Sequence, residues 1–582
     1  MTNTTTKVVR NHTIKWGIYV EHSGQNDAIQ ATTASSGTTV NQNGDFAFND
    51  SGGTPSTTGL AIANAILGNF DNYEEFGTKA YTPWVATAMD LFAQDSWKAT
   101  SKLNIEFGVR WSLWPPWHSK WGNLAEFLPQ FYTAQNAPVV NPKTGYVVGG
   151  NPYDGIVFPG SGVPSAEGDR IPALHNPAYQ SLYHNLPDGL AQTQWKVFQP
   201  RLGIAYAVNP KTVVRGGLGA FANRTAINRD TALGGNAPLQ PQASVINGSV
   251  DNPGGATAQQ FPFNMTIQDP VFKIPTAWEW NGTFQREVGW GTTVQLGYVG
   301  RRGIHNQIKR NINQLQPGTI QANPGINTSA LRPYQGMGVI GISENAGLSR
   351  YNGLQLSIQH RFTSDLQFSL AYTHSRSVDN SSSLTDVLPN AYNAHTYFGP
   401  SDFDRTDVLV TNYIYKLPLF KHRRDFLGYA VGGWEISGIF QYQSGTPFSV
   451  RTSQDIAGVG TGSGSQFWTQ NGDSSISTGG FTPAGLVWFK TSVFTQPAAG
   501  TFGTQARNSL RNPSFWTTDA SLRKNFPIHE RLTMQFRFDV FDFLNHPNWG
   551  GASSNPTSGS FGTITGKTGD DRQLQLALKM IF

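Results

Sequence analysis

The sequence predicts an all-β chain: an antiparallel transmembrane β-barrel, a meander of about 14 strands with short periplasmic turns and long extracellular loops. Three observations predict it. First, the chain ends on R-Q-L-Q-L-A-L-K-M-I-F, with Leu574, Leu576, Leu578, Met580 and Phe582 on one face and Gln573, Gln575, Ala577 and Lys579 on the other. Strand side chains alternate with period two, so this segment has a lipid-suited face, a polar face and a terminal aromatic. Second, the alternation recurs along the whole chain. Third, the connections between alternating runs are short and long by turns.

Composition bounds the alternatives. The 582 residues are 14% charged, 38% hydrophobic and 12% aromatic, with 63 Gly. That mixture suits many strands joined by turns and loops better than helices. No apolar run approaches the ~18–20 residues a spanning helix needs, and Asn64 interrupts the nearest, Leu60 to Leu67. Membrane crossing is therefore possible only by strands of ~9–11 residues. Net charge is +5 but scattered, with no Lys/Arg run beyond Lys421-His422-Arg423-Arg424, so nucleic acid is not an expected partner. There is no Cys, which removes disulfides and thiolate chemistry. Met1 to Lys7 is polar and carries no signal-peptide apolar region.

The strands follow in order. Ile14, Trp16, Ile18 and Val20 alternate with polar neighbours, and so do Leu103, Ile105, Phe107, Val109 and Trp111. Leu202, Ile204, Tyr206 and Val208 turn at Asn209-Pro210-Lys211 into a strand near 212–222. Trp278, Trp280 and Phe284 lead through Gly289-Trp290-Gly291 to Val294, Leu296 and Tyr298. Leu354, Leu356 and Ile358 turn at Thr363-Ser364-Asp365 into Leu366, Phe368, Leu370 and Tyr372. Val408, Val410 and Ile414 form the apolar face of a strand that precedes Trp434, Ile436, Gly438 and Phe440. Leu522 and Phe526 turn through Pro527-Ile528-His529-Glu530 into Leu532, Met534, Phe536 and Phe538. Trp195, Trp434, Trp516 and Trp549 fall near strand ends, where barrels carry aromatic girdles. If Phe582 ends in the periplasm, every short connection lands inside and every long one outside.

Several stretches resemble a known family. Leu91 to Lys98 (L-F-A-Q-D-S-W-K) with Leu103 to Arg110, and Phe198 to Tyr206, resemble paired strands of TonB-dependent outer-membrane receptors. Phe541 to Gly550 (F-D-F-L-N-H-P-N-W-G) is similar to a segment of the Oar-like branch, as are Tyr351-Asn352-Gly353-Leu354-Gln355, Ser401 to Arg405 and Ser444 to Phe448. The resemblance runs from about Asn11 to Phe582. It implies a 22-stranded barrel that imports a large scarce solute, gated by a plug and energised through a TonB-contacting box. Neither plug nor box is found in the 582 residues, so the expectation is an N-terminally truncated receptor barrel spanning 1–582. Its expected edges are Thr13–Val20 and Arg572–Phe582. The expected partners are outer-membrane lipid, the barrel-assembly machinery, a large solute or glycan or peptide ligand, and the TonB complex only through the absent segment. The expected location is the outer membrane.

No catalytic, metal or cofactor site is expected. Arg215-Gly216-Gly217-Leu218-Gly219 lies inside a strand and opens no helix, so it is no nucleotide cradle. Gly458, Gly460, Gly462 and Gly464 read as a flexible loop, and Asp402, Asp404 and Asp407, whose spacing matches no EF-hand calcium loop, as a strand-entry turn paired to Arg405. His residues are dispersed without metal spacing. Ligand recognition falls to the outer loops, where Trp114, Trp117 and Trp121 are the candidates, because aromatic faces stack on sugars and flat apolar ligands. Loop self-packing or a membrane-interface belt is the favoured competing role for them. A surface adhesion barrel and a soluble secreted all-β binding protein are the competing functions.

Overall fold

In a computed structural model, 15 antiparallel strands form one continuous meander. The structure describes all residues except 28–43, 49–57, 59, 78–79, 226, 228–230, 252–260, 362–364, 421–422, 424, 477–478 and 530–531. Lys421, His422, Arg424 and the turn residues Thr363, Ser364 and Glu530 lie outside the described residues. The wall strands are β1 Thr2–Val9, β2 His12–Asp27, β3 Thr82–Lys98, β4 Leu103–Leu113 and β5 Val197–Asn209. They continue as β6 Thr212–Ala222, β7 Thr276–Gly289, β8 Thr292–Asn311, β9 Met337–His360 and β10 Leu366–Asp379. The last five are β11 Asp407–Lys416, β12 Trp434–Gln443, β13 Phe515–His529, β14 Leu532–Phe541 and β15 Gln573–Ile581. Each pairs antiparallel with the next in sequence. Among the described residues no ladder joins β15 to β1.

All 14 expected strands are present, and β1 is additional. One edge of the sheet is therefore Thr2–Val9, not Thr13–Val20. Thr-Asn-Thr-Thr-Thr-Lys has strand-forming residues but no apolar alternation, so periodicity passes over it.

Registers put the apolar residues of successive strands in line. Phe107 of β4 faces Leu202, which faces Leu218, which faces Trp280. Leu296, Leu356, Tyr372, Leu409 and Tyr442 continue the same face across β8 to β12. Ile436, Leu522, Phe538 and Leu576 carry it to the last strand. The opposite face carries pairs such as Asp539 with Gln575 and Gln535 with Lys579. A lipid face and a lumen face thus run through the sheet. The apolar face of β11 differs from the sequence reading: Leu409, Tyr413 and Tyr415 align with the lipid face, whereas Val408, Val410 and Ile414 sit opposite Gln443, Gln441 and Ser437. Both faces of this strand are apolar, so period two alone gives no side.

The connections sort as expected. Those at 10–11, 99–102, 210–211, 290–291, 361–365, 417–433 and 530–531 are the shorter ones and share one end of the sheet. The seven alternating with them, from 28–81 to 542–572, share the other. β9 is 24 residues long, more than twice the ~11 that cross a bilayer, so its first residues stand outside the wall. Register shifts at Asn306 and Ile308 in β8 mark where the pair leaves the barrel surface. There Met337–Ser343 pairs parallel with the loop strand Phe263–Gln268. Parallel neighbours were not expected. This one arises because a loop strand docks on the projecting part of β9, outside the meander.

Candidate ligand-binding face

The described residues of the long connections pack together into a cap at the outer end of the wall. Its largest apolar cluster joins Phe127, Ile156, Phe158 and Leu174 from connection 114–196, Leu239, Phe263 and Met265 from 223–275, and Met337 and Ile340 from β9. Segments far apart in sequence meet because none can bury its apolar residues alone. Buried amides seal the joints. Asn236 donates to the carbonyl oxygens of Ala125 and Thr266, both at 2.8 Å, and accepts from the Thr266 amide at 3.2 Å. Asn313 donates to the carbonyl oxygens of Tyr334, Met337 and Gly338. Replacing Asn236 with Ala strands two carbonyl groups, and the expected cost is about 2 kcal/mol. It is read as faster protease cutting within the outer connections and unchanged gel migration of the wall.

Cations hold a second part of the cap. Arg507, with a side chain 2% exposed, donates to Asp379 Oδ1 at 2.6 Å and to Asp402 Oδ1 at 3.1 Å, and lies 4.6 Å from the Tyr397 ring centroid. Burial alone would lower its pKa, but the hydrogen bond and charge of Asp379 outweigh burial and raise it. Arg332 is buried, donates to the Asn313 carbonyl at 2.8 Å and to Thr461 Oγ1 at 3.0 Å, and burial pushes it down to about 10. Asp404 pairs with Arg511, whereas Arg405 donates to the Ser444 carbonyl oxygen. The expected pairing of the Asp402/Asp404 turn to Arg405 is thus replaced by cross-loop partners. The glycine loop is also packed rather than flexible. Asp455 accepts from the amides of Val459 and Gly460, Gly462 has φ +85°, and a Cβ there would meet Val339 at 2.5 Å.

The candidate tryptophans are dispersed among three packing sites. Trp114 packs on Val197, Phe272 and Ile274. Trp117 packs on the cluster of Trp84 and Leu124, with Arg224 over its ring at 5.0 Å. Trp121 packs on the large cluster and lies 4.6 Å from Tyr81 and 5.3 Å from Arg170. No common aromatic face is formed by the three. A pocket of about 710 Å³ instead opens between connections 444–514 and 542–572, lined by Asp473, Ser475, Trp488, Ser509, Arg511 and Trp549. Trp488 Nε1 donates to the Arg511 carbonyl at 2.7 Å, and Phe481 meets Trp549 edge-on at 5.7 Å. Asp473 is held below the usual carboxylate range, first by the Ser475 hydroxyl and then by its backbone amide. Aromatic faces beside an anion and hydroxyls suit a polar, ring-bearing ligand. Sequence reasoning missed this pocket because its lining comes in separate short runs, 473–476, 486–489 and 509–511, that meet with Trp549 only in the fold.

Among the described residues, Glu167, Asp169 and His175 form one group of metal-capable side chains, at a spacing the sequence reading did not single out. Glu167 is fully buried and takes His175 Nε2 at 2.7 Å and the Ile171 amide. Burial pushes its pKa up, but the His175 and Ile171 hydrogen bonds outweigh burial and lower it. The R-G-G-L-G segment lies within β6, as expected, with Gly216 opposite Gly282.

The terminal strand is where the sequence places it. Leu574, Leu576, Leu578 and Met580 stand opposite Val540, Phe538, Phe536 and Met534, and all four are well exposed on the lipid face. Trp434 and Trp516 occupy that face at its two ends, whereas Trp549 belongs to the pocket. In the F-D-F-L-N-H-P-N-W-G segment, Asn548 bonds both backbone groups of Trp516, at 2.9 and 3.0 Å, and His546 lies 3.8 Å from its ring. This segment ties an outer connection to the start of β13.

A meander with a lipid face, a polar lumen face and loops sorted by length defines an outer-membrane β-barrel. The chain belongs to the outer membrane beta barrel domain family, whose model matches residues 1–575, and its location is the outer membrane. No curated protein matches it. Similar solved structures include the siderophore receptor PirA from Acinetobacter baumannii, 8% identical with a TM-score of 0.43, covering 100% of this chain and 53% of that one. The outer membrane transporter YddB from Escherichia coli is 11% identical with a TM-score of 0.40, covering 99% and 61%. The ferric yersiniabactin uptake receptor FyuA from Yersinia pestis is 10% identical with a TM-score of 0.37, covering 98% and 50%. The chain thus spans about half the length of the solved structures it matches.

Proposed function

We propose that this chain is the barrel portion of a TonB-dependent receptor of the Oar-like branch, binding a large solute on its outer cap for energised import. The observation that carries the reading is the cap itself. Outer connections that share the apolar cluster of Val450, Phe489, Val493, Phe494 and Leu510 and the Arg511–Asp404 ion pair hold a surface pocket between them. Preorganisation of that kind lowers the ordering cost of binding. In this reading Trp114, Trp117 and Trp121 act indirectly, by shaping the cap, and Trp488 and Trp549 meet the ligand. The receptor carries no catalytic step, and gating rests on a plug and a TonB-contacting segment working with this chain.

Planar bilayers test the reading. The chain alone is expected to conduct ions steadily, and the chain joined to a plug domain of a TonB-dependent receptor is expected to be closed. TonB-dependent uptake by the 582 residues alone would refute it. A surface adhesion barrel, the rival reading, predicts conductance that an added plug domain leaves unchanged.

A further inference from the structure

The longest of the inner connections, 417–433, is not a simple turn. It carries the short helix Phe426–Val431, and it leaves Leu419, Phe420, Phe426, Leu427, Tyr429 and Val431 exposed, Phe426 by 81%. Six large exposed apolar side chains within 13 residues is an unusual surface for an aqueous turn, and apolar surface of this kind marks membrane or protein contacts.

Its anchorage decides between the two. Lys524 of β13 stands opposite Trp434 and Phe536 in the register, next to Leu522, and so belongs to the lipid face at its periplasmic rim. Its side chain is nevertheless buried, because the connection folds over it. Lys524 Nζ donates to the carbonyl oxygen of Ala430 at 2.8 Å and to that of Tyr429, both near the end of the short helix. A cation there satisfies carbonyls that a helix end leaves without partners. Phe526, Trp434 and Tyr429 surround the ammonium, with centroids 4.9, 5.4 and 6.0 Å away. Trp434 Nε1 also donates to the Ala430 carbonyl at 3.3 Å, and Tyr429 meets the Phe526 ring at 5.9 Å. Every one of these wall residues is on the lipid face. The connection is therefore clamped to the outside of the barrel, continuous with the surface that faces the bilayer.

We propose that the described residues of connection 417–433, the short helix Phe426–Val431 with Leu419 and Phe420, form an interfacial anchor: their apolar side chains enter the headgroup–acyl boundary of the inner leaflet, and the Lys524 clamp holds them there. The ligand is phospholipid. Short amphipathic segments lie in that boundary with their apolar face ~5–10 Å deep, and the position of the clamp sets this depth. The inference rests on the outer-membrane location and is independent of whether the barrel imports a solute.

Because the chain has no cysteine, Phe426→Cys provides one unique labelling site. An environment-sensitive fluorophore at 426 is compared with one at Val148→Cys, an exposed position in an outer connection. The protein is reconstituted in phosphatidylethanolamine–phosphatidylglycerol liposomes, with iodide on both sides or doxyl lipid in the bilayer as quencher. The expected ratio of doxyl to iodide quenching at 426 is at least about threefold that at 148. A ratio equal to or below that at 148 overturns the proposal and leaves the face as a periplasmic protein contact. In Lys524→Met, with gel migration confirming a folded wall, the ratio at 426 is expected to fall towards the value at 148. An unchanged ratio overturns the role of Lys524. The Phe426→Cys ratio alone decides the lipid assignment if Lys524→Met fails to fold.

Discussion

Leu576→Arg is expected to lower the stability of the barrel in liposomes by about 2–4 kcal/mol, and Gln575→Arg by far less. Leu576 stands mid-strand on the lipid face, opposite Phe538, which in turn faces Leu522 and then Ile436. A guanidinium there is surrounded by apolar neighbours and acyl chains, with only a long reach to the interface to relieve it. Gln575 stands opposite Asp539 on the lumen face, where Arg gains a carboxylate neighbour and water. The measurement is the denaturant midpoint of folding into liposomes for both variants. Equal costs would mean that the faces of β15 are reversed.

Arg507→Met is expected to destabilise the outer cap by about 3–5 kcal/mol, because it leaves a buried carboxylate without its cation. Asp379 is 3% exposed and has Arg507 as its ion-pair partner, and the same guanidinium also holds Asp402 and Ser382. Adding Asp379→Asn to Arg507→Met should recover a large part of the loss, since the stranded charge is then gone. Protease cutting rates in the outer connections against temperature report it, with the wall unchanged by circular dichroism. A cost below about 1 kcal/mol for the single variant would show that the pair is not buried in solution.

The wall was legible in the sequence because a lipid face and a lumen face impose opposite chemistry at every second residue. Phe107, Leu202, Leu296 and Leu576 announce their side one strand at a time. Legibility failed where that rule is suspended. β1 has threonine on both faces, and β11 has apolar residues on both, so neither offers a contrast to read. The cap was illegible for a different reason. Arg507 with Asp379, and Asn236 with Ala125, are joined across more than 100 residues, and no local pattern predicts such pairs. The aromatic cluster Trp114, Trp117 and Trp121 was conspicuous in sequence because its members are neighbours there. In the folded chain they serve three separate packing sites.

The cap also imposes an order in time. Its largest core needs Phe127, Phe263 and Met337 together, so it cannot close until β4 to β9 have all been laid side by side. A one-residue slip in any of those ladders would turn apolar faces inward and misalign the pieces that must meet. Correct registers from β4 to β9 bring the pieces of that core together, and a slip there would leave its apolar surface exposed.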